Sequence, residues 1–177
     1  MSFSNAPYIL NFKKIKVNNL TIRTVIIDEM RRLGKDCSLN HIDVSEVTSF
    51  NHLFAYRKMD VWPDISEWDT HNVEYMACMF FQSNFDGDIS CWDVRNVKTT
   101  EGMFAYNSEF NIDLSGWKLE SIYSVKEMFW KTKYMQDISA WAPYLVNASI
   151  CNIFNKTPNP YRKKFYKCIR TLSNAQK

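Results

Sequence analysis

Asp88-Ile89-Ser90-Cys91-Trp92-Asp93-Val94-Arg95-Asn96-Val97, running on to Met103-Phe104, is one of four versions of the same phrase. Trp68, Trp117 and Trp141 stand in the place of Trp92, at intervals of 24, 25 and 24 residues. Self-similarity at a period between ~20 and ~50 residues marks stacked repeats, because one short unit cannot bury its apolar face alone.

Two periods alternate within each phrase. The Asp-Ile-Ser-x-Trp part (64–68, 88–92, 137–141, and 113–117 with Leu114) alternates polar and apolar residues, as a strand does. The part that follows spaces its apolar residues by three and four: Val73, Met76, Met79, Phe80; Val97, Met103, Phe104; Ile122, Val125, Met128, Phe129. That spacing predicts a short helix. The expected fold is an α/β repeat solenoid, leucine-rich-repeat-like, with one short strand and one short helix per ~25 residues.

Work outward from the repeats and both ends read as caps. Residues 1–38 form a leader and capping helix, 39–157 the solenoid of about four to five units, and 158–177 a basic capping helix. The basic-apolar alternation Phe12–Val17 is strand-like. In Leu20–Leu33, Ile22, Val25, Ile26, Met30 and Leu33 fall on one helical side, with Asn19 as N-cap and Gly34 at the C-cap. At the other end Asn159-Pro160 supplies an N-cap and first-turn proline. Tyr161, Phe165, Ile169 and Leu172 then make one stripe.

These units resemble the BspA-like repeat family, a leucine-rich-repeat-like module catalogued for much of its range as a domain of unknown function. The likeness is carried by the Asp-Ile-Ser-x-Trp-Asp-x-x-Asn-Val-x-x-Met-x-x-Met-Phe units, best kept at 64–80 and 88–104, and by the lead-in Leu39–Ser45. It covers about residues 20–154. The resemblance implies a solenoid and, for secreted members, surface adhesion and host-protein binding.

Charge is distributed unevenly. Residues 1–35 carry a net +5 and residues 158–177 a net +6, around a middle of −8. An acidic body between basic ends suits a protein or nucleic-acid partner. No basic start with an apolar run marks a secretory leader, and no stretch nears the ~20 apolar residues of a membrane helix. A cytoplasmic protein without membrane contact is the expectation. Five cysteines without a CxxC pair read as reduced, core-lining thiols.

The chemistry-bearing residues point away from catalysis. Asp64, Asp88, Asp113 and Asp137 form one aspartate series, and Asp43, Asp69 and Asp93 another. Calcium takes six to eight oxygen ligands, whereas aspartates at turn starts bond their own backbone amides; the second reading fits sequences without glycine-rich loops. His41, His52 and His71 have no matched partners, and neither a nucleophile elbow nor a phosphate-cradling loop is present. No enzyme activity, cofactor or metal is expected.

Aromatics recur just past the repeat phenylalanine as Tyr56, Phe81, Tyr106 and Trp130. Trp62, Tyr106 and Trp130 are the aromatic candidates for partner binding, with Trp62 and Trp130 expected to be exposed. Arg162, Lys163, Lys164, Lys167 and Arg170 are the basic candidates. The expected function is a protein–protein interaction module acting by shape and charge, able to pair with itself through an end. Two alternatives stand beside it: an accessory factor of a nucleic-acid-handling complex, and a surface adhesin.

Overall fold

A computed structural model describes residues 14–34 and 37–176. In chain order it contains strand β1 (Ile15–Lys16), helix α1 (Ile22–Leu33), strand β2 (Ile42–Asp43), a 3-10 helix (Ser139–Tyr144) and helix α2 (Arg162–Ala175). β1 and β2 pair in parallel, Ile15 opposite Ile42 and Lys16 opposite Asp43. The strand-like alternation at 12–17 thus yields two strand residues, while Phe12 and Lys13 lie outside the described residues.

Asn18, rather than Asn19, serves the start of α1. Its Oδ1 accepts the amides of Leu20 and Thr21, and Thr21 Oγ1 accepts the Asn18 amide. Asn19 instead ties the helix to the first unit by accepting the Thr48 and Ser49 amides. Ile22 and Ile26 are buried beneath the helix, which ends at Gly34 with φ +80°.

Between β2 and the 3-10 helix the chain runs as tight turns. Leu53 donates to the Phe50 carbonyl and Arg57 to that of Phe54; Met79–Met76 and Ser83–Phe80 repeat the pattern, as do Met103–Thr100 and Asn107–Phe104. A residue of positive φ sits third in each turn: His52, Cys78, Gly102 and Glu127 in the first of each pair, Tyr56, Gln82, Tyr106 and Lys131 in the second. Positive φ at that position is the type II turn, and it ends any helix.

The amides left over point along the stack. Phe50, His52, Phe54 and Tyr56 donate to the carbonyls of Tyr75, Ala77, Met79 and Phe81, and Met76 to Gln82 and Thr100 to Tyr106 repeat this one unit on. Backbone amides therefore alternate between closing a turn and bonding the next unit, which satisfies them without helix or strand. Only isolated parallel bridges mark the path, joining Ser49, Tyr75, Thr99, Ser124 and Ser149 in series.

The α/β repeat solenoid of leucine-rich-repeat type is accordingly corrected. The segments expected to be helices at 73–80, 97–104 and 122–129 are turns, and the Asp-Ile-Ser-x-Trp segments carry no strand longer than a bridge. Helices occur at the two ends and at 139–144, and β1 and β2 are the two strands, among the described residues. The reason is a coincidence of spacing. Consecutive four-residue turns bring every fourth residue inward, and a helix does nearly the same.

The core is a set of ring ladders. Phe54, Phe80, Phe104, Phe129 and Phe154 stack face to face at 5.6–5.8 Å. Phe85, Phe110 and Tyr134 form a parallel row, each 3.8–3.9 Å from its neighbour in the first. Gly87 is needed there, since a Cβ would lie 2.8 Å from the Phe85 ring. Trp68 stacks on Trp92 and Trp117 on Trp141, both at 6.2 Å. Each indole N–H donates to a carbonyl one unit earlier: Trp68 to Leu39, Trp92 to Ile65, Trp117 to Ile89, Trp141 to Leu114. At the far end α2 buries Phe165 and Ile169, with Phe165 edge-on to Phe154 at 5.4 Å.

Candidate functional site

Rings also line the outside of the stack. Tyr56 meets Phe81 at 5.4 Å, Phe81 meets Tyr106 at 5.6 Å, and Tyr106 meets Trp130 at 5.0 Å, each edge to face. Two neighbouring slots are used in turn. Where Ala55 and Ala105 fill the first, tyrosine takes the second; where Phe81 and Trp130 fill the first, Gln82 and Lys131 take the second. The small residue leaves room for the large ring of the next unit. Tyr56 is 67% exposed, while Phe81, Tyr106 and Trp130 are half-buried. Lys131 Nζ lies 4.6 Å from the Tyr106 ring centre and 5.6 Å from that of Trp130, within cation–π range. The expectation that Trp130 is exposed is thus corrected.

Trp62 belongs elsewhere. It is half-buried, edge-on to Phe54, Phe80 and Phe85, and its indole N–H donates to Asn84 Oδ1 at 3.0 Å. It closes the first unit, and no ring contact joins it to Tyr106 or Trp130 among the described residues.

The basic candidates share α2. Arg162, Lys163, Lys164, Lys167 and Arg170 are all exposed, and the helix contains no acid. They differ in occupancy. Lys164 pairs with Asp137 at 2.6 Å, Arg162 lies over the Tyr166 ring at 5.9 Å, and Arg170 reaches the Tyr166 carbonyl at 3.4 Å. Lys163 and Lys167 form no ion pair among the described residues. No hydrogen bond, ion pair or ring contact links α2's cations to the outer aromatic row, so the candidates divide between two surfaces.

Several polar groups have partners that their positions in sequence do not reveal. His41 Nε2 lies 2.6 Å from Glu29 Oε2, and Arg32 grips the same carboxylate at 2.5 and 2.9 Å. Arg32's hydrogen bonds hold the Glu29 carboxyl down at about 2; burial opposes this and His41 assists it. His71 Nδ1 meets Asp69 at 2.6 Å. Two of the three histidines thus have acidic partners, contrary to expectation. Glu29 and Arg32, three apart on one helix, are the signal that was available.

The aspartates behave as turn residues. Asp64, Asp88, Asp113 and Asp137 each accept the amide two residues on, as do Asp43, Asp69 and Asp93. Hydrogen bonds from Ser45, Ser90 and Arg95 hold the Asp43, Asp88 and Asp93 carboxyls below the usual range. Among the described residues no three His, Cys, Asp or Glu side chains gather as a metal would require. Cys78, Cys91, Cys151 and Cys168 form no disulfide among the described residues, and Cys91 and Cys151 are exposed rather than core-lining. Burial pushes the Cys78 thiol up.

Taken together these features define a turn-built protein held by aromatic ladders, whose distinctive groups lie along its outer faces. The chain belongs to the family described as Mycoplasma protein of unknown function, DUF285, which matches residues 3–83 and 48–163. The resemblance to the BspA-like family is corrected by that match. No curated protein and no solved structure matches the chain. No helix among the described residues is long and apolar enough to cross a membrane.

Proposed function

We propose that the chain is a non-catalytic protein-binding module, presenting a rigid outer face to a partner protein in the cytoplasm. The observation that supports this best is the row Tyr56, Phe81, Tyr106 and Trp130 with Lys131 against it. Tyrosine and tryptophan are enriched among the few residues that dominate the energetics of protein interfaces. Rings held by their neighbours lose little freedom on binding, which favours affinity.

The test is capture of partners by the tagged full chain from source-cell lysate, at low and high salt and with and without nuclease. One protein recovered under all four conditions, and lost from a Tyr56→Ala/Tyr106→Ala double variant that melts normally, is the expected result. Recovery unaffected by the double variant would remove the aromatic row from the function.

A second reading rests on α2, which contains exposed cations and no acid of its own. In it the chain is an accessory factor of a nucleic-acid-handling complex and α2 contacts phosphate. Recovery that collapses with nuclease, and binding that weakens steeply with salt, would favour this reading.

A further inference from the structure

Beside α1 lies a cleft of about 300 Å³ that neither surface above includes. Its apolar lining is Ile26, Ile27, Met30, Leu53, Phe54 and Met59. Three arginines complete it, Arg23, Arg31 and Arg57, and no acid lines it. We infer that this cleft binds a small amphipathic carboxylate, with an alkyl body on the apolar floor and its head on Arg57.

Charge and occupancy single out Arg57. Arg23 already donates to the carbonyls of His52 at 3.1 Å and Leu53 at 3.4 Å, so its guanidinium is turned to the backbone. Arg31 lies 3.5 Å from Asp28 and is partly neutralised. Arg57 is exposed and forms no side-chain hydrogen bond or ion pair among the described residues. One open guanidinium fork matches one planar carboxylate in bidentate geometry. A phosphate dianion would call for more open donors than the cleft offers.

The floor suits a chain rather than a ring system. Met30 and Met59 are adaptable side chains that shape themselves to a flexible ligand. At about 300 Å³ the cleft sits at the small end of ligand sites, which span ~300–1,000 Å³. Its walls come from α1 and from the turn at 53–59, so ligand binding also clasps the first helix to the stack.

The experiment is calorimetric titration of the full chain with decanoate, below its micelle concentration, with decanol as the uncharged analogue. Saturable one-to-one binding of decanoate is expected, weakened about tenfold for decanol and about tenfold by Arg57→Gln. Lys58→Gln, an exposed neighbour outside the cleft, leaves it unchanged. Met59→Glu, which places a like charge on the floor, abolishes it. Equal binding of decanol and decanoate, indifference to Arg57→Gln, or no saturable heat up to millimolar decanoate would each overturn the assignment.

Discussion

The indole Nε1 of Trp92 donates to the carbonyl of Ile65, 3.1 Å away and 27 residues earlier in the chain. The same bond is made by Trp68, Trp117 and Trp141, so each tryptophan fills its own unit and pins the one before. The Ile65 carbonyl also accepts the Trp68 amide at 3.3 Å, so losing the indole removes one of its two hydrogen bonds and leaves the other. Replacing Trp92 by Phe keeps a ring and deletes the donor. Loss of that bond should cost about 0.5–1.5 kcal/mol, seen as a lower denaturation midpoint with an unchanged slope. Trp92→Ala should cost roughly 3–5 kcal/mol.

Left-handed residues at fixed turn positions make a second prediction. Gly102 has φ +60°, and an added Cβ would lie 3.2 Å from Cys78 Sγ. Gly102→Ala should destabilise by about 1–2 kcal/mol. Gln82 has φ +52° at the third position of the second turn in its pair, so Gln82→Gly relieves strain while adding unfolded-state entropy. Its thermal midpoint should move little. Opposite substitutions at the two sites thus have unequal effects, measurable by calorimetry.

Glu29 sets an acid limit. Its folded-state pKa of about 2 lies below its ordinary 4.5, so the ionised form adds stability that is present above pH 4.5 and lost as the pH falls toward 2. Glu29→Gln should therefore be less stable than the wild type at pH 7. The gap should close on acidification through that window, because a protonated Glu29 is close to isosteric with Gln. Urea titrations of both proteins at pH 7, 4.5 and 2 check this.

The outer row depends on the alternation of small and large residues. Ala105 is 1% exposed and stands in the slot that Phe81 and Trp130 fill in adjoining units. Ala105→Leu forces a third large side chain into that line and should cost about 1–3 kcal/mol through overpacking. Tryptophan fluorescence should report displacement of Trp130. Alanine at the equivalent Phe81 should cost stability without that displacement.

How much of this is legible in the chain depends on which residues are asked. The interval between Trp68 and Trp92 marks two rings that stack, since residues one period apart meet whatever path connects them. The aspartates were equally legible, because a turn aspartate bonds an amide two residues away and needs no distant partner. Helices expected at 73–80 and its equivalents failed, because inward spacings of three and four serve paired type II turns as well as a helix. Distinguishing them takes the φ of Cys78 and Gln82, both positive. Neither residue type announces that geometry.

The partner candidates divide along the same line. The basic residues of α2 are exposed because a single helix segregates them by its own period. Trp62 and Trp130 were expected at the surface, yet both are half-buried, one against Phe85 and one against Tyr106. Lys131's place over the Tyr106 and Trp130 rings was hidden for the same reason. Exposure of a side chain in a stacked protein is set by the neighbouring unit.

By itself, then, the sequence determined the period, the residues that share a ladder and the turn aspartates, all of which follow from local spacing. Only the tertiary structure decided that the amides alternate between turn and neighbour, which rings stay half-open, that Glu29 holds both Arg32 and His41, and that Arg23, Arg31 and Arg57 share one cleft. Those outcomes depend on hydrogen bonds and contacts between residues about 25 apart or more in several cases, and such partners become neighbours only once the turns have stacked.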